Sequence, residues 1–161
     1  YALYHIFEEL TVNDTFFKNI DVAVLGSGIV GLSAAVRLKE LAPAMNVAVI
    51  DRGALPIGAS TRNAGFACFG SMTELLDDLR RQPEDAVWAL VERRWKGLLR
   101  LRERLGDENL QYEALGGYEV FRSGEEETCR ECLDHLPGFN RIMAGITGSP
   151  DTYQVAGDVA A

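Results

Sequence analysis

The sequence predicts an α/β fold that opens on a strand, a helix and a parallel strand. Three observations carry this. An apolar run at residues 20–25 (I-D-V-A-V-L) leads straight into glycines. A helical apolar pattern follows over residues 31–41, and a second apolar run, V-A-V-I, ends at Asp51. Two short apolar runs flanking one helix within about 30 residues read as a βαβ unit, because strands buried on both faces are continuously apolar. Composition agrees: 161 residues with 47% hydrophobic and 25% charged suit one globular domain rather than two. A net charge of −8 argues against a uniform phosphate-binding surface and hence against nucleic acid as a partner. No apolar run approaches the roughly 20 residues of a membrane span. Three cysteines make no disulfide framework, and the start lacks the basic-then-apolar order of a signal peptide. The expected setting is soluble, reducing and cytoplasmic.

The elements follow in order. Residues 1–19 are an N-terminal extension in which Leu3, Ile6, Phe7 and Leu10 fall at helical spacing and Asn13-Asp14 reads as a turn. In the helix over 31–41, Leu32, Ala35, Val36 and Leu38 are apolar, and Pro43 closes it. A Gly/Ala/Ser-rich stretch runs over 53–71. Ser71 or Thr73 can then cap a helix carrying Leu75, Leu76 and Leu79. After Gln82-Pro83 an amphipathic helix is expected over 84–105, with Val87, Val91, Trp95, Leu98, Arg102 and Leu105 on one stripe and Gly106 as its stop. Residues 116–121 (G-G-Y-E-V-F) alternate like a strand after a turn. Ser123 can cap a helix over 125–136, which Pro137-Gly138 should break. The tail from Gly145 is weakly patterned.

The first strand and helix are joined by Gly26, Gly28 and Gly31 in G-x-G-x-x-G spacing, and Asp51 lies 20 residues after Gly31. Each residue has a physical task in a dinucleotide site. Gly26 permits the tight turn, Gly28 lets a pyrophosphate approach the backbone, and Gly31 lets helix and strand pack closely. The free N–H groups and the positive end of the helix face the phosphates. The Asp51 carboxylate can accept from both ribose hydroxyls and repels a 2′-phosphate, which disfavours NADP. The fingerprint alone does not separate NAD from FAD.

The next stretch, residues 55–66, contains G-A-S-T-R-N-A-G at 58–65. It resembles the second signature of the D-amino-acid-oxidase-type family of FAD-dependent oxidoreductases. The resemblance implies FAD as cofactor, with Ser60, Thr61, Arg62 and Asn63 bordering the pyrophosphate and flavin, and Ala64 and Gly65 passing close to the isoalloxazine. With the fingerprint, the candidate cofactor-binding residues are Gly26, Gly28, Ile29, Val30, Gly31, Asp51, Arg52, Ser60, Thr61, Arg62, Asn63, Ala64 and Gly65. Small residues let backbone approach a flat ring, and Arg62 can offset phosphate charge. Residues 116–121 resemble the first strand of that family's substrate domain. The implied layout is a Rossmann-like FAD-binding part over 20–110 and the start of an α+β substrate domain over 111–161. Asp51 stands where FAD proteins more often carry Glu. Family members run to more than twice this length, so the chain reads as an N-terminal portion, and two parallel strands alone leave an apolar edge exposed.

The resemblance implies oxidation of the C–N bond of a small-molecule amine or amino acid by hydride transfer to flavin. The family's substrate-carboxylate clamp comes mostly from later sequence, so no catalytic residue is assigned. The other readings are a dinucleotide-binding fragment without turnover and an NAD-linked dehydrogenase. Cys129-x-x-Cys132 with His135 nearby lacks the second ligand pair of a structural zinc site and falls in an acidic helix, so no metal is expected. Cys68 and His5 read as packing or surface residues.

Overall fold

A computed structural model describes residues 18–55 and 57–156. The helical spacing at Leu3–Leu10, the turn at Asn13-Asp14 and the last residues of the tail lie outside the described residues. The fold mixes helix and strand and is mostly helical. It divides into two compact units between Phe66 and Ala67. This division is by packing, and it is a different kind of partition from the expected functional segments 20–110 and 111–161.

The first unit holds β1 (Val22–Leu25), α1 (Ile29–Leu41), β2 (Val47–Ile50) and a 3-10 turn at Ala59–Thr61. β1 and β2 pair in parallel, in the register Val22↔Val47 to Leu25↔Ile50. Beyond that ladder the Gly26 N–H donates to the Ile50 carbonyl at 2.8 Å, so pairing runs into the glycine turn. The strand, helix and parallel strand expected at 20–51 are all present, although the first strand is shorter than 20–25 and the helix starts at Ile29. α1 lies close to the strands because it meets them with small residues. Ala35 is its buried position, and a Cβ on Gly31 would sit 2.1 Å from the Gly26 carbonyl oxygen. Lys39 Nζ donates to the carbonyls of Pro43 and Met45 and ties down the exit from α1. A two-stranded sheet covers little, and Leu25, Ile29, Val30, Leu32, Val36 and Val49 remain exposed.

The second unit is helical among the described residues: α2 (Met72–Arg81), α3 (Glu84–Leu105), the single turn α4 (Asp107–Leu110) and α5 (Glu126–Thr147). Ser71 caps α2 in a reciprocal capping box with Glu74, which settles the choice between Ser71 and Thr73. α3 runs over the expected residues and stops at Gly106, whose φ of +78° suits glycine. Leu75, Leu76, Val87, Val91, Phe139 and Met143 pack with Met72 and Cys132 into the core, with Trp88 edge-on to Phe139 at 5.1 Å. Arg102 closes the end of α3 on Asp107 with two bonds of 2.8 and 2.7 Å and stacks over Tyr112.

Three expectations fail in this unit. No strand forms over 116–121. The alternation is real, since Glu119 bonds Thr73 and Phe121 packs on the core while Tyr118 and Val120 are exposed. A strand also needs a hydrogen-bonding neighbour, however, and this segment has none among the described residues. Ser123 is not the cap of α5. That helix begins after Glu125, whose carboxylate accepts from the Arg122 N–H, while Glu126 accepts from Gly124. Pro137-Gly138 does not end the helix, which continues to Thr147. An interior proline costs about 3 kcal/mol. Full burial of Phe139 and Met143 beyond it returns about 1.5–3 kcal/mol each.

Candidate dinucleotide site

The site is built at the junction of β1 and α1. Gly26 turns the chain with φ +99°, a region closed to most side chains. Gly28 is the N-cap of α1 and offers no side chain, so the first amide of the helix needs an outside partner. That partner is Ser60: the Ile29 N–H donates to Ser60 Oγ at 2.9 Å. A Cβ on Gly28 would stand 3.2 Å from the same oxygen, so glycine is what allows the 3-10 turn to come this close. Thr61 holds that turn through bonds from its N–H and its hydroxyl to the Gly58 carbonyl, at 3.2 and 3.1 Å. Asn63 Oδ1 then accepts from the Gly65 N–H at 2.8 Å, and Gly65 takes a φ of +76°.

Asp51 follows directly on β2. The parallel register sets the ends of β1 and β2 side by side, which brings the carboxylate to the glycine turn. Its Oδ2 accepts from both the N–H and the hydroxyl of Ser27, at 2.6 Å each, and Oδ1 accepts from the Gly53 N–H at 3.3 Å. The Ser27 hydroxyl, then the Ser27 and Gly53 amides, hold the Asp51 carboxyl down at about 2. The group is therefore an anion across the physiological range.

The structure thus gathers Gly26, Gly28, Ile29, Asp51 and Ser60 at one turn, with Gly31 packed beneath it. Val30 is exposed on the first turn of α1, and Arg52, Thr61, Arg62, Asn63, Ala64 and Gly65 are exposed along the two loops. Within 58–65, Ser60 reaches the glycine turn by hydrogen bond. Sequence reasoning missed Ser27. The signal was available: the residue following the first glycine of the fingerprint falls beside an acid that directly follows a parallel strand.

Other candidate chemistry does not assemble. No group of three or more metal-ligating side chains occurs among the described residues. Cys68, Cys129 and Cys132 are free thiols, and burial pushes the Cys132 thiol up to about 11. A shallow concavity lies along α3, lined by Ala89, Arg93, Gly97 and Arg100, and contains no fingerprint residue.

The chain belongs to the FAD dependent oxidoreductase family (DAO), whose sequence profile matches residues 21–149. FAD is the cofactor of that family. Among curated proteins, the chain is similar to the mitochondrial electron transfer flavoprotein-ubiquinone oxidoreductases of Pongo abelii and Homo sapiens, each 33% identical over 96 residues. Those residues are 57% of this chain and 15% of each relative, so the chain spans a small part of the relatives it matches. No solved structure matches it.

Proposed function

We propose that the first unit is the start of a Rossmann-like domain that holds the ADP half of FAD. We further propose that the protein oxidises the C–N bond of an amine or amino acid. The observation that carries the first part is the convergence of Asp51, the N-terminus of α1 and Ser60 on one glycine turn. The residues suit the group. An ionised Asp51 is an acceptor for ribose hydroxyls. The amides at the start of α1 and the positive end of the helix favour pyrophosphate. Ser60 accepts from Ile29, and its own hydroxyl hydrogen is available to a phosphate oxygen. Arg62, exposed in the following loop, offsets phosphate charge. When bound, the flavin supplies a two-electron acceptor for the hydride leaving the substrate carbon. The amine loses that hydride and a proton from nitrogen, leaving an imine that water hydrolyses to a carbonyl compound and the released amine or ammonia.

The names of the two relatives favour a second reading, in which electrons pass between a flavoprotein carrier and a quinone. The match spans 15% of each relative and does not speak for either substrate. One experiment separates the two. The purified protein, loaded with FAD without oxygen, is mixed with a panel of amino acids and secondary amines while the absorbance near 450 nm is followed. Bleaching by an amine supports the proposal. A flavin that no amine reduces, but that a reduced electron-carrier flavoprotein does, supports the second reading.

A further inference from the structure

We infer that Ser27 sets how strongly the site recognises a ribose. Its hydroxyl occupies a lone pair of the Asp51 carboxylate that a ribose diol would otherwise take. The inference rests on the proposed role of Asp51 as the ribose acceptor. A carboxylate offers about four acceptor positions, two on each oxygen. Ser27 fills both positions on Oδ2, one with its N–H and one with its hydroxyl, at 2.6 Å each. Oδ1 accepts from the Gly53 N–H at 3.3 Å, a longer bond. Two adjacent ribose hydroxyls bind a carboxylate best when each donates to its own oxygen. With Oδ2 saturated, one hydroxyl can reach Oδ1 and the other is left with the Ser27 oxygen, a neutral acceptor and so the weaker one.

The two Ser27 bonds differ in kind. The N–H is fixed by the backbone of the glycine turn and is present whatever residue stands at 27. The hydroxyl belongs to serine alone. Removing it frees one position on Oδ2 and leaves the amide still orienting the acid. Ser27 is thus a specificity residue acting through Asp51, and its removal strengthens ribose recognition instead of weakening it.

The test compares adenosine 5′-diphosphate with its 2′,3′-dideoxy analogue, each titrated into the protein and followed through backbone amide signals. The readout is the ratio of the two dissociation constants, which isolates the ribose hydroxyls from phosphate and adenine contacts. A general loosening of the turn weakens both ligands alike and leaves the ratio unmoved. In Ser27→Ala the preference for the hydroxyl-bearing ligand should rise about three- to tenfold, the gain from exchanging a bond to a neutral acceptor for one to a charged acceptor. Ser27→Gly should match it and reports the same ratio if the alanine variant does not fold. Ser27→Thr keeps the hydroxyl and should behave as the parent. A ratio that stays level or falls in Ser27→Ala and Ser27→Gly, with the diphosphate still bound, overturns the role of Ser27 and leaves the dinucleotide reading standing. Failure of the parent and every variant to bind the diphosphate overturns both.

Discussion

At the scale of single residues, Asp51 and Gly31 shape the glycine turn most directly. Asp51 has a folded carboxyl value of about 2 against an ordinary 3.8. A lowered value means that the ionised acid favours the folded state. The contribution is fully present above about pH 4 and is lost as pH falls toward 2. The Asp51 carboxyl carbon should therefore titrate near pH 2 by NMR. In Ser27→Ala its midpoint should move up, because the largest cause of the shift is gone. A midpoint at the ordinary value in the parent protein would mean that the Ser27 contacts are not held in solution. Asp51→Ala should weaken adenosine 5′-diphosphate about tenfold by removing a charged acceptor, checked by titration calorimetry. Gly31 tests packing and not chemistry. An alanine methyl there runs into the Gly26 carbonyl at 2.1 Å, which backbone cannot yield cheaply. Gly31→Ala should cost about 3 kcal/mol or more and broaden or remove the amide signals of the first unit, including those of β1 and β2.

At the scale of elements, α5 is where local preference and tertiary packing pull in opposite directions. Pro137 sits inside a helix whose far half carries Phe139 at 4% and Met143 at 0% exposure. Pro137→Ala should restore a backbone bond and stabilise the second unit by about 1–3 kcal/mol, read as a higher Tm. A lower Tm would show that the proline shapes a bend the core requires. The same conflict explains what was legible in the sequence. β1, α1, β2, the Ser71 helix and α3 were readable because periodicity, caps and breakers agree at each of them. The break at Pro137-Gly138 was misread because the sequence states the cost of proline and not the burial beyond it. The strand over 116–121 was misread because alternation reports which side chains face inward, and says nothing about whether a partner strand is there. In the site, Asp51 and the three glycines were legible from spacing. The reach of Ser60 to the Ile29 amide depends on a 31-residue separation closed only in three dimensions. The grip of Ser27 on Asp51 spans 24 residues, and its signal lay in the parallel pairing that sets the fingerprint beside the acid.

At the scale of the whole molecule, two units carry different kinds of stability. The second has an apolar core that three helices, α2, α3 and α5, share. The first rests on two paired strands, one close-packed helix and a network of hydrogen bonds around the glycine turn, with much apolar surface left exposed. A site held by hydrogen bonds in a thinly packed unit should respond to its ligand there and not elsewhere. The most direct test is to titrate FAD into the isotope-labelled protein and map the backbone amides that move. The account predicts saturable shifts at Ser27, Gly28, Ile29, Asp51 and Ser60, with α3 and α5 unmoved. Shifts confined to the helices of the second unit, or none at the glycine turn at concentrations where FAD is bound, would contradict it.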